Sequence, residues 1–324
     1  MSTLVTGGAG YIGSHFVRLL KASGEDVIVL DNLSRGHRES IPAGVRLLQI
    51  DLLNREKLEE VFRHNKIESI VHFAAFAYVG ESVENPAMYY ENNVVGSFNL
   101  IDCAVKNSVK NFVFSSTCSL YGNPDIIPIT ESEGVKPINP YAKTKHIIEM
   151  ILEDFEKASG MKYVALRYFN AAGASPEGEI GESHDPEPHL IPLVLQTALG
   201  KRTSISIYGD DYPTKDGTCI RDYIHIVDLG RAHILALNYL KNGGKSEIIN
   251  LGTGEGNSVR EVIEKAKKIT GKKINSVISS RREGDPAVLV ADNKKAKIIL
   301  DWEPGFTLED ILNHAWNWHK NPKF

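Results

Sequence analysis

Cysteine is scarce in this chain, which has only Cys103, Cys118 and Cys219 among its 324 residues. An odd number of widely spaced cysteines argues against disulfides and against zinc. No apolar run reaches the length that crosses a membrane, and no block of basic residues predicts a nucleic-acid partner. A first strand beginning at Thr3 leaves no room for a secretion signal. We therefore expect a cytoplasmic chain that binds no membrane, no nucleic acid and no metal.

The composition is that of an ordinary globular protein, with 42% hydrophobic residues and a net charge of -4. Short β-rich segments alternate with helical ones through the first half of the chain. This alternation predicts an α/β fold, a doubly wound parallel sheet of the Rossmann type with helices on both faces. Strands are predicted at residues 3–6, 26–30, 45–50, 69–73, 111–115 and 162–167, and helices at residues 11–22, 55–65, 86–105 and 141–159.

The pattern changes near Ala171, where a long loop rich in Gly, Pro, Asp and His covers residues 175–189. We expect a dinucleotide-binding domain at residues 1–170 and a smaller α/β domain at residues 171–324, with residues 219–251 returning to the first. Residues 258–261 predict a helix with a capping box, and residues 307–310 an imperfect one. Further helices are predicted at residues 190–199 and 227–240, and strands at residues 204–207, 219–225 and 247–251.

Three glycines follow the first predicted strand at a spacing typical of dinucleotide-binding turns: Gly7, Gly10 and Gly13. Glycine lets the backbone approach a pyrophosphate closely, and the N-terminus of the following helix offers N–H donors to it. A glycine triad alone is a weak signal, because tight turns use glycine for other reasons. The strand before this triad and the amphipathic helix after it favour the nucleotide interpretation.

Asp31 ends the second predicted strand. A carboxylate there can accept hydrogen bonds from the adenosine ribose and repels a 2′-phosphate, so NAD is favoured over NADP. Arg35 lies close enough in sequence to accommodate that phosphate, although a solvated loop charge is the simpler interpretation. Asp51, followed by Leu52, could bond the adenine amino group or could belong to a plain turn.

Tyr141 and Lys145 lie four residues apart on a predicted helix, so their side chains share one face. A tyrosine with a pKa near about 10 is a poor base at neutral pH, but a nearby ammonium and the charged ring of oxidised NAD both favour the phenolate. The pair can therefore act as a base on an alcohol or sugar hydroxyl. Thr117, after the fifth strand, is our candidate to bond the reacting oxygen and relay the proton. Ser115 and Ser116 have a plainer interpretation as residues that satisfy the strand end.

The segments that hold these residues resemble the extended short-chain dehydrogenase/reductase family over nearly the whole chain. The N-terminal motifs are shared by many nucleotide-sugar enzymes, whereas the C-terminal ones narrow the resemblance to the UDP-sugar 4-epimerases of that family. The motifs are Gly7-Gly-Ala-Gly-Tyr-Ile-Gly13, Asp31-Asn-Leu33, His72-Phe-Ala-Ala75, Asn92-Asn-Val94, Ser115-Ser-Thr117, Tyr141-x-x-x-Lys145, Arg167-Tyr-Phe-Asn170, Gly209-Asp-Asp-Tyr-Pro-Thr214, Arg221-Asp-Tyr-Ile-His225 and Arg281-Arg-Glu-Gly-Asp285.

The resemblance implies an NAD-dependent enzyme that inverts C4 of a UDP-hexose, interconverting UDP-galactose and UDP-glucose through a transient 4-keto sugar. It also implies a homodimer. Tyr141 would be the catalytic base, Lys145 its partner and Thr117 the hydroxyl that the family often supplies as serine. The cofactor contacts that follow from the residues and the resemblance together are Gly7, Gly10, Tyr11, Ile12, Gly13, Asp31, Asn32, Asp51, Leu52, Phe73, Ala74, Ala75, Asn93, Ser115, Tyr141, Lys145 and Tyr168.

The resemblance also implies that residues 171–324 bind mainly the UDP-sugar, with Arg221 and Arg282 on the diphosphate and Asp285 on the ribose. Arginine suits this role because its planar fork matches phosphate oxygens through bidentate bonds. Either arginine alone would otherwise be taken for part of a surface salt bridge. The full set of implied substrate contacts is Thr117, Tyr141, Asn170, the backbone of His189 and Leu190, Ser206 and Tyr208 along the uracil, Arg221, Arg282 and Asp285.

One position departs from the family pattern, because several members carry a lysine where this chain has Ala77. Loss of that cation could weaken cofactor retention or alter the choice of sugar. A dehydratase on the same fold would carry Asp-Glu directly after the threonine. This chain has Cys118 and Ser119 there, so water elimination is disfavoured.

Two further alternatives remain. A related 4-epimerase could act on an N-acetylhexosamine, a pentose or a glucuronate, and we expect Leu289 to leave room for an N-acetyl group. A regulator that binds NAD without turnover could use the same fold. The intact Tyr141, Lys145 and Thr117 disfavour that regulator, because a pure binding protein has no need of an activated phenol.

Overall fold

The computed structural model describes residues 2–282 and 284–324, so Glu283 of the motif at residues 281–285 lies outside the described residues. The chain forms two compact units. Unit 1 comprises Met1–Leu120, Val135–Arg167 and Gly230–Ile249, and unit 2 comprises Tyr121–Gly134, Tyr168–Leu229 and Asn250–Phe324.

The nine predicted strands are present to within one or two residues at their ends, where boundaries are least certain from sequence. Four short strands, at residues 170–172, 256–258, 276–279 and 288–289, were not predicted. In chain order they are β1 (Ser2–Thr6), β2 (Val27–Asp31), β3 (Arg46–Gln49), β4 (Ile67–His72), β5 (Asn111–Ser115), β6 (Lys162–Tyr168), β7 (Asn170–Ala172), β8 (Ile205–Tyr208), β9 (Ile220–His225), β10 (Glu247–Leu251), β11 (Gly256–Ser258), β12 (Ser276–Ser279) and β13 (Val288–Leu289).

The predicted helices are equally close in position, with one exception described below, whereas two short helices, at residues 79–84 and 294–300, were not predicted. They are α1 (Tyr11–Ala22), α2 (Arg55–His64), α3 (Val79–Glu84), α4 (Pro86–Tyr89), α5 (Gly96–Lys106), α6 (Pro140–Ser159), α7 (Leu190–Ala198), α8 (Ile226–Lys241), α9 (Val259–Thr270), α10 (Lys294–Leu300) and α11 (Leu308–Lys320), with 3₁₀ turns at Arg38–Ser40 and Cys118–Tyr121.

Unit 1 is built on a seven-stranded sheet in the order β10-β6-β5-β4-β1-β2-β3. The pairings among β1 to β6 are parallel. The strands β2 and β5 are buried at every position, as expected when helices cover both faces. The predicted doubly wound α/β fold is confirmed. The strand order reverses between β1 and β4, and in such sheets ligands bind at the carboxyl ends of the strands on either side of the reversal.

A single helix predicted at residues 86–105 is wrong in its middle. The chain instead forms α4, a wide π turn at Tyr90–Val95, and then α5. In the π turn the buried amide of Asn93 bonds both the N–H and the C=O of Phe76, at 2.8 and 3.0 Å. It also donates to Thr144 of α6 at 3.1 Å. These contacts are far apart in sequence, so helical periodicity could not reveal the widened turn.

Unit 2 has a four-stranded sheet in which β9 pairs with β7, β11 and β13, and a separate pair of β8 and β12. The segment at residues 219–251 is therefore divided, because β10 joins the seven-stranded sheet of unit 1 and β9 does not. Strand propensity fixes the existence of both strands but not their partners. The helices α7, α9 and α11 enclose the apolar core of unit 2.

Both predicted capping boxes are confirmed. Ser258 opens α9 with reciprocal bonds to Glu261, and Thr307 opens α11 with the same arrangement to Asp310. The second box was predicted to be imperfect because aspartate replaces the usual glutamate, yet the shorter carboxylate reaches the Thr307 N–H at 2.9 Å. Among the described residues, no helix is both long enough and apolar enough to cross a membrane.

His72 ends β4 as a buried, neutral imidazole. Its Nδ1 lies 2.6 Å from the Thr6 hydroxyl and its Nε2 lies 2.7 Å from the Ser97 hydroxyl. Burial lowers the pKa of His72 to about 3, and repulsion from the Lys145 ammonium adds to this effect. Both ring nitrogens contact hydroxyls within the protein, so charging the ring requires the hydroxyl that donates to it to become an acceptor.

We expect His72 to make the fold sensitive to acid. The unfolded chain takes up a proton on this ring near pH 6.5, whereas the folded protein does so only near pH 3. Between these values the unfolded state binds more protons, so stability falls as the pH falls, by about 2 kcal/mol from about pH 7.5 to about pH 5. Denaturant unfolding of wild type and His72→Gln at both pH values measures this, and the variant should lose less. Equal losses would contradict the assignment.

Candidate active site

The turn after β1 lies against the backbone that follows β4. Gly7 donates its N–H to the Leu30 carbonyl at 2.9 Å and has a φ of +71°, a conformation that favours glycine. A Cβ on Gly7 would stand 2.5 Å from the Ala74 nitrogen. Two segments predicted to contact the cofactor, around Gly7 and around Ala74, are therefore neighbours at the reversal of strand order.

Gly10 is not required by the protein's own packing. It is the N-cap of α1 with a φ of -77°, which any residue adopts, and a Cβ there would meet only the Gly7 oxygen at 3.4 Å. Gly13 differs, because a Cβ on it would overlap the Gly7 carbonyl and lie 2.8 Å from the Gly8 Cα. The missing side chain of Gly10 is explained by a ligand that approaches the start of α1. The turn therefore fits a dinucleotide pyrophosphate.

Asp31 supports this turn and can still accept more hydrogen bonds. Its two carboxylate oxygens take the N–H groups of Ala9 at 2.9 Å and of Leu33 at 2.8 Å. Burial raises the pKa of Asp31, and these backbone bonds oppose the rise. Each oxygen keeps a lone pair for a ribose hydroxyl. Next to it, the Asn32 amide donates to Asp51 at 2.8 Å, so two predicted adenosine contacts meet.

Arg35 is bound to Glu81 rather than held ready for a 2′-phosphate. Its guanidinium donates to both oxygens of Glu81 at 2.7 and 2.8 Å. It also lies over the rings of Phe76 and Tyr78, at 4.9 and 4.6 Å from their centroids. These two rings flank Ala77, the position where the family often has lysine. The pairing with Glu81 favours NAD over NADP.

Local sequence signals place Tyr141 and Lys145 at the start of α6. Asn139 caps the helix by accepting the Ala142 N–H at 2.8 Å, and Pro140 occupies the first helical position. The Lys145 Nζ donates to the Ser115 carbonyl at the end of β5, at 2.8 Å, and lies 5.9 Å from the centroid of the Tyr141 ring. Both side chains are buried. The predicted base and its partner thus share one face at a strand end.

The lysine belongs to a buried chain of polar groups. Burial lowers the pKa of Lys145 to about 7, and the charge of Glu149, one turn further along α6, opposes this shift. Glu149 accepts two bonds from Arg167, at 3.0 and 2.6 Å, and one from the Ser116 hydroxyl at 2.6 Å. Ser116 therefore does more than satisfy its strand end. Glu149 was missed in the sequence, although its spacing from Lys145 on one helix face could have revealed it.

Thr117 follows β5 and is buried. Its hydroxyl oxygen accepts the Ser119 N–H at 3.2 Å at the 3₁₀ turn of residues 118–121. The hydroxyl proton remains available for donation, because accepting a bond does not use it. This geometry is compatible with the predicted role of Thr117 on a substrate oxygen.

In unit 2, predicted substrate residues form two pairs. The guanidinium of Arg221, on β9, bonds the carboxylate of Asp285. The guanidinium of Arg282 lies over the Tyr208 ring, 4.0 Å from its centroid. The sequence predicted a separate ligand contact for each of these four residues. In the structure, each arginine predicted to bind the diphosphate contacts another predicted substrate residue: Arg221 contacts Asp285, and Arg282 contacts Tyr208. Ser206 precedes Tyr208 on the same strand, β8.

Asp222, next to Arg221, is a structural anchor that sequence reasoning did not identify. Its carboxylate takes the N–H groups of Thr253 at 2.8 Å, Gly254 at 3.0 Å and Ala291 at 3.2 Å. The Thr253 hydroxyl also donates to it, at 2.7 Å. Burial raises the pKa of Asp222 and these bonds oppose the rise. The sequence did not reveal this role, because the backbone groups that Asp222 binds lie far from it in the chain.

The other predicted substrate residues occupy regular positions of unit 2. Asn170 begins β7 and pairs with Tyr223 of β9. Leu289 pairs with Arg221 in parallel register, so the two side chains emerge on one face of the sheet. His189 caps α7 and Leu190 begins it, while the His189 ring lies against the carboxylates of Glu182 and Glu187. All of these ligand assignments stay predictions.

The chain is similar over nearly its full length to known proteins. A family model, that of the NAD dependent epimerase/dehydratase family, matches residues 3–252. The UDP-glucose 4-epimerase of Halalkalibacterium halodurans is 52% identical over 321 residues, covering 99% of this chain and 96% of that protein. A crystal structure of UDP-glucose 4-epimerase from Brucella ovis in complex with NAD is 46% identical with a TM-score of 0.95, covering 97% of each chain. One from Bifidobacterium longum in complex with NAD+ and UDP is 38% identical with a TM-score of 0.94, covering 99% of each chain.

The doubly wound sheet, the glycine turn and the buried tyrosine–lysine pair define a nucleotide-dependent α/β enzyme. The chain belongs to the NAD dependent epimerase/dehydratase family. The predicted cofactor, NAD, is confirmed.

Gly10→Ala should separate cofactor binding from folding. Its Cβ fits the protein but fills the space through which the pyrophosphate approaches, so we expect an unchanged unfolding midpoint and NAD binding at least about tenfold weaker. Thermal unfolding and the NAD content of the purified protein measure the two effects. Gly13→Ala is the matched control and should lower the midpoint, because its Cβ overlaps the Gly7 carbonyl. Unchanged NAD retention in Gly10→Ala would contradict the assignment.

Proposed function

We propose that this chain inverts C4 of a UDP-hexose, converting UDP-galactose to UDP-glucose. The observation that carries this function is the buried Tyr141–Lys145 pair at the end of β5, in a chain 52% identical to a UDP-glucose 4-epimerase over nearly its full length. The activity predicted from the sequence, NAD-dependent inversion of C4 of a UDP-hexose, is confirmed. The roles of individual residues below are our proposals.

In the proposed reaction Tyr141 Oη takes the proton of the sugar 4-hydroxyl and later returns it. Lys145 supports the phenolate, because its ammonium is buried beside the ring and is held by the Ser115 carbonyl. Thr117 donates its hydroxyl proton to the reacting oxygen and orients it. The Gly7–Gly13 turn and Asp31 would hold NAD, which would supply a reversible hydride acceptor.

The substrate is proposed to be held through its UDP part. Arg221 and Arg282 would bind the diphosphate, Asp285 the ribose and Tyr208 the uracil. The Arg221–Asp285 pair already exists, so the arginine is oriented before a diphosphate arrives. Binding energy remote from C4 fixes the substrate without holding the sugar ring rigidly. By this assignment, residues 1–170 serve mainly the cofactor and residues 171–324 mainly the UDP-sugar.

A dehydratase activity is less well supported. Cys118 and Ser119 occupy the places where a dehydratase would carry its acid and base, and neither supplies a carboxyl group. A wider range of sugar substrates is better supported. Leu289 pairs with Arg221, and its side chain is smaller than a bulky aromatic one. We propose that it leaves space for an N-acetyl group.

The purified protein should interconvert UDP-galactose and UDP-glucose with no NAD added, because the reaction leaves no net redox change and the cofactor is retained. Chromatographic separation of the two sugars measures the conversion, with UDP-N-acetylglucosamine as a parallel substrate. Absence of any interconversion, even with added NAD, would refute the proposed function. Activity on UDP-galactose without any on the N-acetyl sugar would refute only the assignment of Leu289.

Tyr141→Phe should lower kcat by about 10²–10⁴-fold, because it removes the group that exchanges the proton. Its affinity for UDP should change little, since UDP is proposed to bind unit 2. Tyr239→Phe, a partly exposed tyrosine whose hydroxyl accepts the Lys245 N–H, is the matched control and should keep wild-type turnover. Near-normal activity in Tyr141→Phe would contradict the role of the phenol.

We propose a homodimer that forms through α5 and α6. These helices contact each other in unit 1, and they leave Phe98 39% and Met150 51% exposed, next to Val95 at 47%. The Phe98 ring meets Phe155 edge-on at 6.2 Å. A second copy of the same surface would cover these side chains in a symmetric, self-complementary contact.

Sedimentation or light scattering should therefore report the mass of two chains for the wild type. Phe98→Asp should shift the protein to monomer, because it places a charge in the proposed apolar contact. Ile298→Asp, at a side chain 79% exposed on α10, is the control and should remain dimeric. A wild-type monomer at working concentration would remove this proposal.

A cytoplasmic location remains a proposal and is supported by the cysteines. Cys103, Cys118 and Cys219 all lie in the described part of the chain, are buried and form no disulfide. Buried thiols of this kind are typical of proteins kept in a reducing compartment.

A further inference from the structure

Four side chains with metal-binding atoms meet in the loop before α7. Glu182, His184, Glu187 and His189, here called the Glu–His cluster, each place one ligand atom within 4.8 Å of all the others. All four belong to unit 2. The expectation of no metal was based on cysteine spacing, and it did not consider the alternation of glutamate and histidine in this loop.

The distances within the cluster are close to those that a tetrahedral cation imposes. Glu182 Oε1 lies 2.8 Å from His189 Nδ1 and 3.3 Å from His184 Nδ1. Glu187 Oε1 lies 2.9 Å from His189 Nδ1, and its Oε2 lies 3.4 Å from His184 Nδ1. Ligands about 2.0–2.1 Å from a tetrahedral zinc ion stand about 3.3–3.4 Å apart. Both His184 contacts match this spacing. The His189 contacts need to open by about half an ångström, and the Glu187 carboxylate must turn so that a single oxygen faces the cation.

Two buried carboxylates require two compensating positive charges. The side chains of Glu182 and Glu187 are only 4% and 5% exposed. Without a metal, the two imidazoles can supply this charge by protonation. Both rings contact both carboxylates, and the side chains of His184 and His189 are 16% and 44% exposed. A divalent cation bound by neutral imidazoles would supply the same two positive charges.

We propose that the Glu–His cluster binds a divalent transition cation of the zinc type, through one oxygen of each glutamate and the Nδ1 of each histidine. Two imidazole nitrogens favour zinc and its neighbours over Mg²⁺ and Ca²⁺, which prefer all-oxygen ligands. Four protein ligands leave no open position for a reacting water, as in structural zinc sites. The cation therefore acts as a structural clamp.

The clamp would connect the two ends of the loop before α7. At one end, the Trp318 Nε1 donates to the Glu182 carbonyl at 3.0 Å, and a Cβ on Gly181 would overlap the Trp318 ring. At the other end, the His189 N–H donates to Glu187 Oε1 at 2.9 Å, where α7 begins. The cation would join these two ends. In doing so it would fix the backbone of His189 and Leu190, whose contact with the UDP-sugar rests on the proposed function.

The test is direct metal binding to untagged, NAD-containing protein freed of metal by dialysis against a chelator. We expect titration with Zn²⁺ to give one equivalent per chain and a higher unfolding midpoint. Co²⁺ should give the intense visible absorption of a tetrahedral site. His184→Ala and Glu187→Gln should each abolish the bound equivalent. His64→Ala, at an exposed histidine at the end of α2, is the matched control and should bind like the wild type.

Several outcomes would overturn the proposal. If Zn²⁺ neither binds nor shifts the unfolding midpoint, the cluster is a set of ion pairs between protonated histidines and glutamates, and the proposal is wrong. Unchanged binding in both His184→Ala and Glu187→Gln would place any metal elsewhere. If a variant is too unstable to purify, a wild-type Co²⁺ spectrum without tetrahedral absorption would still refute the site. None of these readouts requires epimerase activity, so failure of the proposed function would be recognised separately.

Discussion

The hydrogen bond from Lys145 to the Ser115 carbonyl is the contact on which the proposed chemistry of unit 1 depends. It fixes the start of α6 to the end of β5, and it holds the ammonium beside the Tyr141 ring. A buried cation is costly unless it is paired, and burial here lowers the pKa of Lys145 to about 7. The charge of Glu149 opposes that shift from the next turn of the same helix. The proton balance of the lysine is therefore set by elements that the fold holds rigidly.

The position of the Glu149–Arg167 pair next to this lysine indicates a role beyond stability. The pair is bidentate, and both side chains are at most 5% exposed. Apolar replacement of a buried ion pair is often neutral or stabilising, whereas loss of one partner costs about 3–5 kcal/mol. Stability alone therefore does not require a charged pair here. An electrostatic role does, because Glu149 acts on Lys145 only while Arg167 and Ser116 keep its carboxylate in place.

The sequence was most informative where the signal is local. Strand–helix alternation, glycine spacing and capping residues predicted the doubly wound sheet, the start of α6 and both capping boxes. Three features depended on distant contacts and were not predicted: the π turn held by Asn93, the partners of β9 and the anchor formed by Asp222. The Glu–His cluster lies between these cases. Its residues are close in sequence, but the burial of both glutamate side chains depends on the folded chain around them.

The proposed turnover places opposite demands on the two parts of the substrate. C4 must be approached from either face, so the sugar needs freedom, while the UDP part must stay fixed to keep C4 near one base. By the proposed assignment of the UDP part to unit 2, the second demand is met there by restraint of the backbone. Asp222 binds three N–H groups and so fixes the strand that carries Arg221, and Asp285 orients that arginine. A metal at the Glu–His cluster would extend the same strategy to His189 and Leu190, because it too restrains main chain and leaves the sugar untouched.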